Sequence, residues 1–197
     1  MVLGYHVAFG AYGSWLPNDP RGSWSTWVRS LRLHRHGQSI GPDPFWRPGS
    51  PPQCVTARLA TKRSLICAPV RFTDRQILAI GRGFARIIDK CGYAVWACAI
   101  LRDHVHMVIG RHYYKVERMV GLLKQGVTTE LTETGLHPMN GYGKFQGSLP
   151  SPWQRSCWRS YLNTHGDIEL AIEYVQENPE KAGLPRQRWP FVVPVEL

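Results

Sequence analysis

Two histidines lie one residue apart in the segment RDHVHMVIG, residues 102–110. The segment is short and apolar, which predicts a β-strand. Side chains alternate between the two faces of a strand, so His104 and His106 are expected to point the same way. Two imidazoles on one face can bind a single metal ion. For these two residues alone, a hydrogen-bonded pair of histidines without a metal is the alternative interpretation.

A phenol and an amide lie together near the C-terminal end of the chain, in the segment AIEYVQEN. Tyr174 and Asn178 are four residues apart, so on a helix they share one face, beside an apolar stripe that faces the core. Their oxygens would then project together. The alternative is that Tyr174 packs at the edge of the core and that Asn178 ends the helix before Pro179.

The elements that must position these residues follow one another in the order β-α-β-β-α-β, with one more helix at the end. This order predicts an α+β fold of the ferredoxin-like kind: an antiparallel sheet with helices on one face, plus a C-terminal helix that carries Tyr174. The predicted elements are a strand at 3–12, a helix at 73–92, strands at 93–100 and 104–110, a helix at 115–133, a strand at about 157–163 and a helix from Asp167 that Pro179 closes.

The length of 197 residues fits a single domain that spans residues 1–197. Between residues 13 and 70 the sequence is rich in Pro, Gly, Arg and Trp and shows no sustained period, which predicts an ordered but irregular insertion. His34 and His36 form a second H-x-H in this insertion. Arginines surround them and no apolar strand does, so we interpret this pair as part of a basic loop.

The chain carries 24 Lys and Arg residues against 14 Asp and Glu residues, a formal net charge of +10. Such an imbalance favours a polyanionic partner, because each phosphate that a basic side chain neutralises releases condensed counterions. Nucleic acid is favoured over an anionic membrane surface. The eight Trp and eight Tyr residues suit stacking on unpaired bases, although rings that fill the core are the alternative.

The sequence contains no run of about 18 apolar residues, so no membrane span is predicted. Its N-terminal segment MVLGYHVAFGAYG lacks the basic start and the cleavage site of a secretory signal. The five cysteines include no C-x-x-C pair, which argues against a disulfide framework and against a structural zinc site. We therefore predict a cytoplasmic protein with buried thiols.

Together, the two motifs resemble those of the single-tyrosine HUH transposases, especially the REP-associated tyrosine transposases. The segment PWQRSCWRSYL also resembles the Trp-Gln-Arg strand of that family. The family usually has Met-Pro-Asn directly before its first histidine, whereas this chain has Leu101, Arg102 and Asp103, and the insertion is longer than in the family. The residues that match are His104, Val105 and His106 in the strand, and Tyr174, Asn178, Pro179, Lys181, Ala182 and Gly183 in the segment EYVQENPEKAGL.

The resemblance implies a transposase that cleaves and rejoins single-stranded DNA at hairpin-forming repeats. Tyr174 would be the nucleophile, and His104, His106 and Asn178 would hold Mg²⁺ or Mn²⁺. The product would be a 5′-phosphotyrosine with a free 3′-hydroxyl, and no nucleotide cofactor would be needed. A divalent ion suits this chemistry, because a phenol has an unperturbed pKa of about 10 and attacks a phosphodiester poorly unless charge on the phosphate is neutralised.

Four cationic residues near these motifs would hold the phosphates of single-stranded or hairpin DNA: Arg102, Arg155, Arg159 and Lys181. Both a monomer and a homodimer are compatible with the resemblance. One alternative function is a domesticated DNA-binding or regulatory protein that keeps the fold but does not cut DNA. Another is a replication initiator or conjugative relaxase of the wider HUH group.

Overall fold

The computed structural model describes residues 1–14, 63, 65–143 and 147–195 of the chain. Most of the insertion predicted at 13–70 lies outside the described residues, and so do His34, His36 and Cys54. The described strands are β1 (Gly4–Gly10), β2 (Val95–Ile100), β3 (His104–Gly110) and β4 (Trp158–Leu162). The helices are α1 (Asp74–Cys91), α2 (Val116–Glu133) and α3 (His165–Lys181).

The strands form a four-stranded sheet in the order β2-β3-β1-β4, in which every neighbouring pair is antiparallel. Strand β1 lies in the interior, with Gly10 opposite His104 of β3 and Ala8 opposite Trp158 of β4. With helices after β1 and β3, this arrangement is ferredoxin-like. The structure confirms the predicted fold class.

Helices α1 and α2 pack against each other and cover one face of the sheet. Helix α1 begins with a capping box between Thr73 and Gln76 and ends at Gly92, whose φ of 67° suits a residue without a Cβ. The side chains that fill this core follow the alternation of the strands and the helical period. Its sheet contributors include Val7, Phe9, Val105, Met107 and Ile109, and its helix contributors include Ile80, Phe84, Met119, Leu123 and Val127.

Helix α3 covers the opposite face of the sheet. Ile168 and Val175 of this helix pack against a separate apolar cluster that includes Ala97, Ala99 and Val108. The alanines of β2 are small, so the helix can approach the sheet closely on this side. The same face of the sheet carries the histidines of β3.

Both ends of α3 differ from the prediction. The helix begins at His165 because Thr164 is its N-cap, and Asp167 is the third residue of the capping box rather than the start. It also continues through Pro179 to Lys181. Proline cannot donate a backbone hydrogen bond, but bonds from the amide of Ala182 to Asn178 and from the amide of Leu184 to Pro179 close the last turn at 3.0 and 2.8 Å.

The segment after α3 runs along the outer edge of β2, which the sequence did not predict. The side-chain amide of Gln187 donates to the carbonyl of Ile100 and accepts from its amide, both at 2.8 Å. The amide of Val193 donates to the carbonyl of Val95 at 2.9 Å. Such contacts occupy an otherwise open strand edge. They also attach the C-terminal end of α3 to its own sheet.

The cysteines with described positions are free thiols, and Cys67 and Cys98 are buried while Cys91 and Cys157 are partly buried. Within residues 1–14, 63, 65–143 and 147–195, no helix has both the length and the apolar character that crossing a membrane requires.

The close contact between α1 and α2 can be tested with a pair of Gly→Ala variants. A methyl group at Gly83 would lie 2.8 Å from the Cα atom of Val127, whereas one at Gly121 would have no atom within 4 Å. We expect Gly83→Ala to lower the free energy of unfolding by about 1–3 kcal/mol. Gly121→Ala should raise it by about 0.5–1 kcal/mol, because alanine favours the helix. Equal stabilities in urea unfolding would contradict this close helix contact.

Candidate active site

Three histidines lie on the sheet face that α3 covers. His104 and His106 point to this face as predicted, while Val105 and Met107 point into the core under α1 and α2. The third is His6 of β1, which lies next to β3 in the sheet. Strand alternation therefore places imidazoles from two neighbouring strands on one surface.

The first of these histidines is held by its neighbour in the sequence. The Nδ1 atom of His104 lies 2.6 Å from Oδ1 of Asp103. Because Nδ1 is occupied by this contact, a metal ion would bind at Nε2 of the ring. A carboxylate on the second nitrogen is the usual outer partner of a metal-binding histidine. Asp103 is one of the residues at which this chain departs from the Met-Pro-Asn of the transposase motif.

The second histidine is buried among other rings. The Nδ1 atom of His106 lies 3.1 Å from Nε2 of His6, and its ring centroid lies 5.0 Å from that of His104. Burial lowers the pKa of His6 to about 4. Burial, with smaller contributions from His104 and His6, lowers the pKa of His106 to about 3. Both rings are therefore neutral at pH 7, the form in which histidine binds metals.

Tyr174 lies over these rings from α3. Its ring centroid is 5.5 Å from that of His106, edge to face at 86°, and 5.5 Å from that of His6 at 63°. The residue is 46% exposed, so a large substrate can reach it. The structure thus brings the phenol beside the histidine pair.

Asn178 lies one turn after Tyr174 and is partly buried. Its Nδ2 donates to the carbonyl of Tyr174 at 2.7 Å, so a metal ion would bind at Oδ1. Among the described residues no group of three or more His, Cys, Asp or Glu side chains is arranged to hold a metal ion. The proposed ligands are instead two imidazoles and one neutral amide oxygen; the oxygen suits Mn²⁺ and Mg²⁺, and the two nitrogens favour Mn²⁺ over the harder Mg²⁺. The ligand role of Asn178 stays a prediction.

Two of the predicted DNA-binding cations are close in the sequence to site residues, but only Lys181 has a contact with one of them. Arg102 precedes Asp103 and forms an ion pair of 2.9 Å with Asp74. Lys181 forms an ion pair of 2.6 Å with Glu177, and its Nζ lies 5.9 Å from the ring centroid of Tyr174. These cations are close in the sequence to the site residues, and a phosphate would compete with a carboxylate for each of them.

The other two predicted cations are placed differently. Arg159 lies opposite Val7 in the register of β4 and β1, so it belongs to the sheet face under α1 and α2. There it forms an ion pair of 2.6 Å with Glu117 of α2. Arg155 lies in the loop before β4 and is exposed. The contacts of all four with DNA stay predictions.

Two residues of this region, His6 and Gln154, were not identified from the sequence as neighbours of the site. His6 could have been found, because alternation along GYHVAFG puts it on the face opposite Val7 and Phe9, a face that is otherwise small and apolar. Gln154 could not. Its backbone amide donates to the carbonyl of Gly10 at 2.9 Å, and its Oε1 would lie 2.7 Å from a methyl group at Gly10. Gly10 is the register partner of His104, so Gln154 borders the site.

No protein-family model matches the sequence, and no curated protein sequence matches it. The solved structures that are similar to the chain include two transposases. A REP-associated tyrosine transposase bound to a REP hairpin shares 13% identity over 96% of this chain and 74% of its own, with a TM-score of 0.48. A putative transposase from Deinococcus radiodurans R1 shares 12% identity over 94% of each chain, with a TM-score of 0.45.

The neutral histidines predict a loss of stability in mild acid. The pKa of each ring is lower in the folded chain than its value of about 6.5 in an unfolded chain, so the unfolded state binds more protons below that pH. We expect His6 to account for a loss of about 2 kcal/mol in the free energy of unfolding between pH 6.5 and pH 5. Urea unfolding of metal-free protein should therefore show a smaller loss for His6→Gln than for the wild type. Equal losses would contradict the burial of a neutral His6.

Proposed function

We propose that the chain is a metal-dependent transposase that cleaves and rejoins single-stranded DNA at hairpin-forming repeats. The observation that carries the proposal is the contact of Tyr174 with His106 on the sheet face that also carries His104. The proposed nucleophile and the two proposed metal ligands are thus close together at one partly exposed position, which supports the proposal. The resemblance of both motifs to the HUH transposases selects DNA as the substrate, and the net charge of +10 agrees with a polyanion.

His104, His106 and Asn178 would hold the divalent ion. When bound, the ion would neutralise charge on the non-bridging oxygens of the scissile phosphate and polarise its phosphorus. The chain's own residues supply the rest. His104 and His106 hold their Nε2 atoms on one side of the sheet, and Tyr174 presents its phenol from the helix above them.

The proposed reaction is a transesterification. Oη of Tyr174 attacks the phosphorus and loses its proton, while the 3′-oxygen of the neighbouring nucleotide leaves and takes up a proton. One phosphodiester bond breaks as one phosphotyrosine bond forms, so the bond energy is kept. A DNA hydroxyl can then reverse the step and rejoin the strand.

The three principal side chains come from a single copy of the chain. His104 and His106 lie on β3, and Tyr174 lies on α3 above the same sheet. An active site built from one chain is compatible both with a monomer and with a homodimer.

Replacement of the nucleophile should abolish the covalent intermediate. We expect the wild type to form an adduct with labelled single-stranded hairpin DNA in Mn²⁺, visible as a shifted band on a denaturing gel. Tyr174→Phe should form no adduct but should bind the DNA as before, because only the hydroxyl is lost. Tyr113→Phe is the matched control, since Tyr113 is 80% exposed and lies beyond the end of β3. An equal adduct from Tyr174→Phe would refute the nucleophile, and no adduct from the wild type would favour a protein that binds DNA without cutting it.

Replacement of a metal ligand should separate cleavage from binding. We expect His104→Ala to slow cleavage by about 100-fold or more, because charge stabilisation by a metal is worth several kcal/mol. Salt-sensitive binding of the same hairpin should be retained in a filter-binding assay. His165→Ala, which changes an exposed histidine at the start of α3, should leave both cleavage and binding unchanged. Loss of cleavage and binding together in His104→Ala would indicate a structural histidine.

A further inference from the structure

His6 lies among the rings of His106, Trp158 and Tyr174, although it belongs to neither sequence motif. It lies on β1, is 8% exposed, and contacts three other rings. Its Nε2 lies 3.1 Å from Nδ1 of His106. Its ring centroid lies 5.0 Å from that of Trp158, edge to face at 86°, and 5.5 Å from that of Tyr174. One side chain thus connects the proposed metal ligand with the proposed nucleophile.

Two arrangements satisfy the contact between these two neutral imidazoles. In the first, Nδ1–H of His106 donates to Nε2 of His6, which leaves the lone pair on Nε2 of His106. In the second, Nε2–H of His6 donates to Nδ1 of His106, and the proton of His106 is then on its own Nε2. A metal ion binds only a ring nitrogen that carries a lone pair. Only the first arrangement therefore allows His106 to bind a metal through Nε2.

We propose that His6 is a positioning residue that accepts the Nδ1–H of His106 and thereby keeps Nε2 of His106 available for the metal. This inference rests on the proposed function, because it concerns the same site. His6 does for His106 what Asp103 does for His104: each outer partner contacts the Nδ1 atom of one histidine. The contact of His6 with Tyr174 holds the nucleophile against the same pair.

The tautomer can be measured on the metal-free protein without any reaction. Long-range ¹H–¹⁵N correlation spectra of protein labelled with ¹⁵N-histidine distinguish an imidazole protonated on Nδ1 from one protonated on Nε2, and a His106→Gln variant identifies the signals of His106. With EDTA at pH 7.5, we expect His106 to carry its proton on Nδ1 in the wild type. In His6→Leu, which removes the acceptor, this preference should be lost.

The affinity for Mn²⁺ alone gives a second measurement. Loss of an outer partner typically costs 10- to 100-fold in metal affinity, so we expect His6→Leu to weaken Mn²⁺ binding by about that factor. His6→Gln should retain most of the affinity, because its Oε1 can accept the same hydrogen bond. His165→Leu, at an exposed position, should bind Mn²⁺ as the wild type does.

Two results would overturn the proposal: a wild-type His106 protonated on Nε2, or a His6→Leu protein whose His106 tautomer and Mn²⁺ affinity are unchanged. The wild-type spectrum decides the first of these even when a variant fails to fold. Neither result depends on DNA cleavage. A protein with the expected tautomer that forms no covalent adduct would instead contradict the proposed function.

Discussion

The site depends on the packing of α3 against the sheet face that carries the histidines. Val175 is fully buried between this helix and the sheet, in a cluster with Ala97 and Ala99 of β2. Because Tyr174 directly precedes Val175, burial of one side chain places the other at the rim of the same contact. The helix can approach this closely only because β2 presents methyl groups there. A larger residue on β2 would lift the helix and, with it, the phenol away from the imidazoles.

The two faces of the sheet carry different kinds of side chain. The face under α1 and α2 is filled with large apolar side chains and provides most of the buried area. The other face carries small side chains such as Ala97 and Ala99, which leaves room for the imidazoles.

Contacts at the margin of the sheet support this second face. Lys124 of α2 donates to the carbonyls of Gln154 and Ser156 at 2.8 and 2.9 Å, which holds Gln154 beside Gly10. Burial lowers the pKa of Lys124 to about 8, so this contact is made by a cation that is largely removed from water.

Charge is distributed unevenly between the site and its surroundings. The imidazoles of His6 and His106 are neutral and buried, whereas Arg102 and Lys181 are partly or fully exposed and pair with Asp74 and Glu177. Exposed pairs of this kind contribute little to stability, so a phosphate can replace the carboxylate at small cost. The proposed association with DNA would therefore be sensitive to salt, while the buried rings of His6 and His106 would keep their arrangement without DNA.

The sequence by itself determined the elements and the direction of the reactive side chains. Helical period, strand alternation and caps are local, so they predicted the βαββαβ order, the shared face of His104 and His106 and the shared helix face of Tyr174 and Asn178. They failed where an interaction joins distant segments. The partner of His106 is His6, 100 residues earlier in the chain, and Gln154 and the segment after α3 gain their positions only by docking. Helix α3 continues past Pro179, which has no backbone N–H to donate, because the amides of Ala182 and Leu184 still form the hydrogen bonds of the last turn. Alternation could show which way each ring points, but only tertiary packing decided which rings meet, since that depends on strand order and on how closely α3 approaches the sheet.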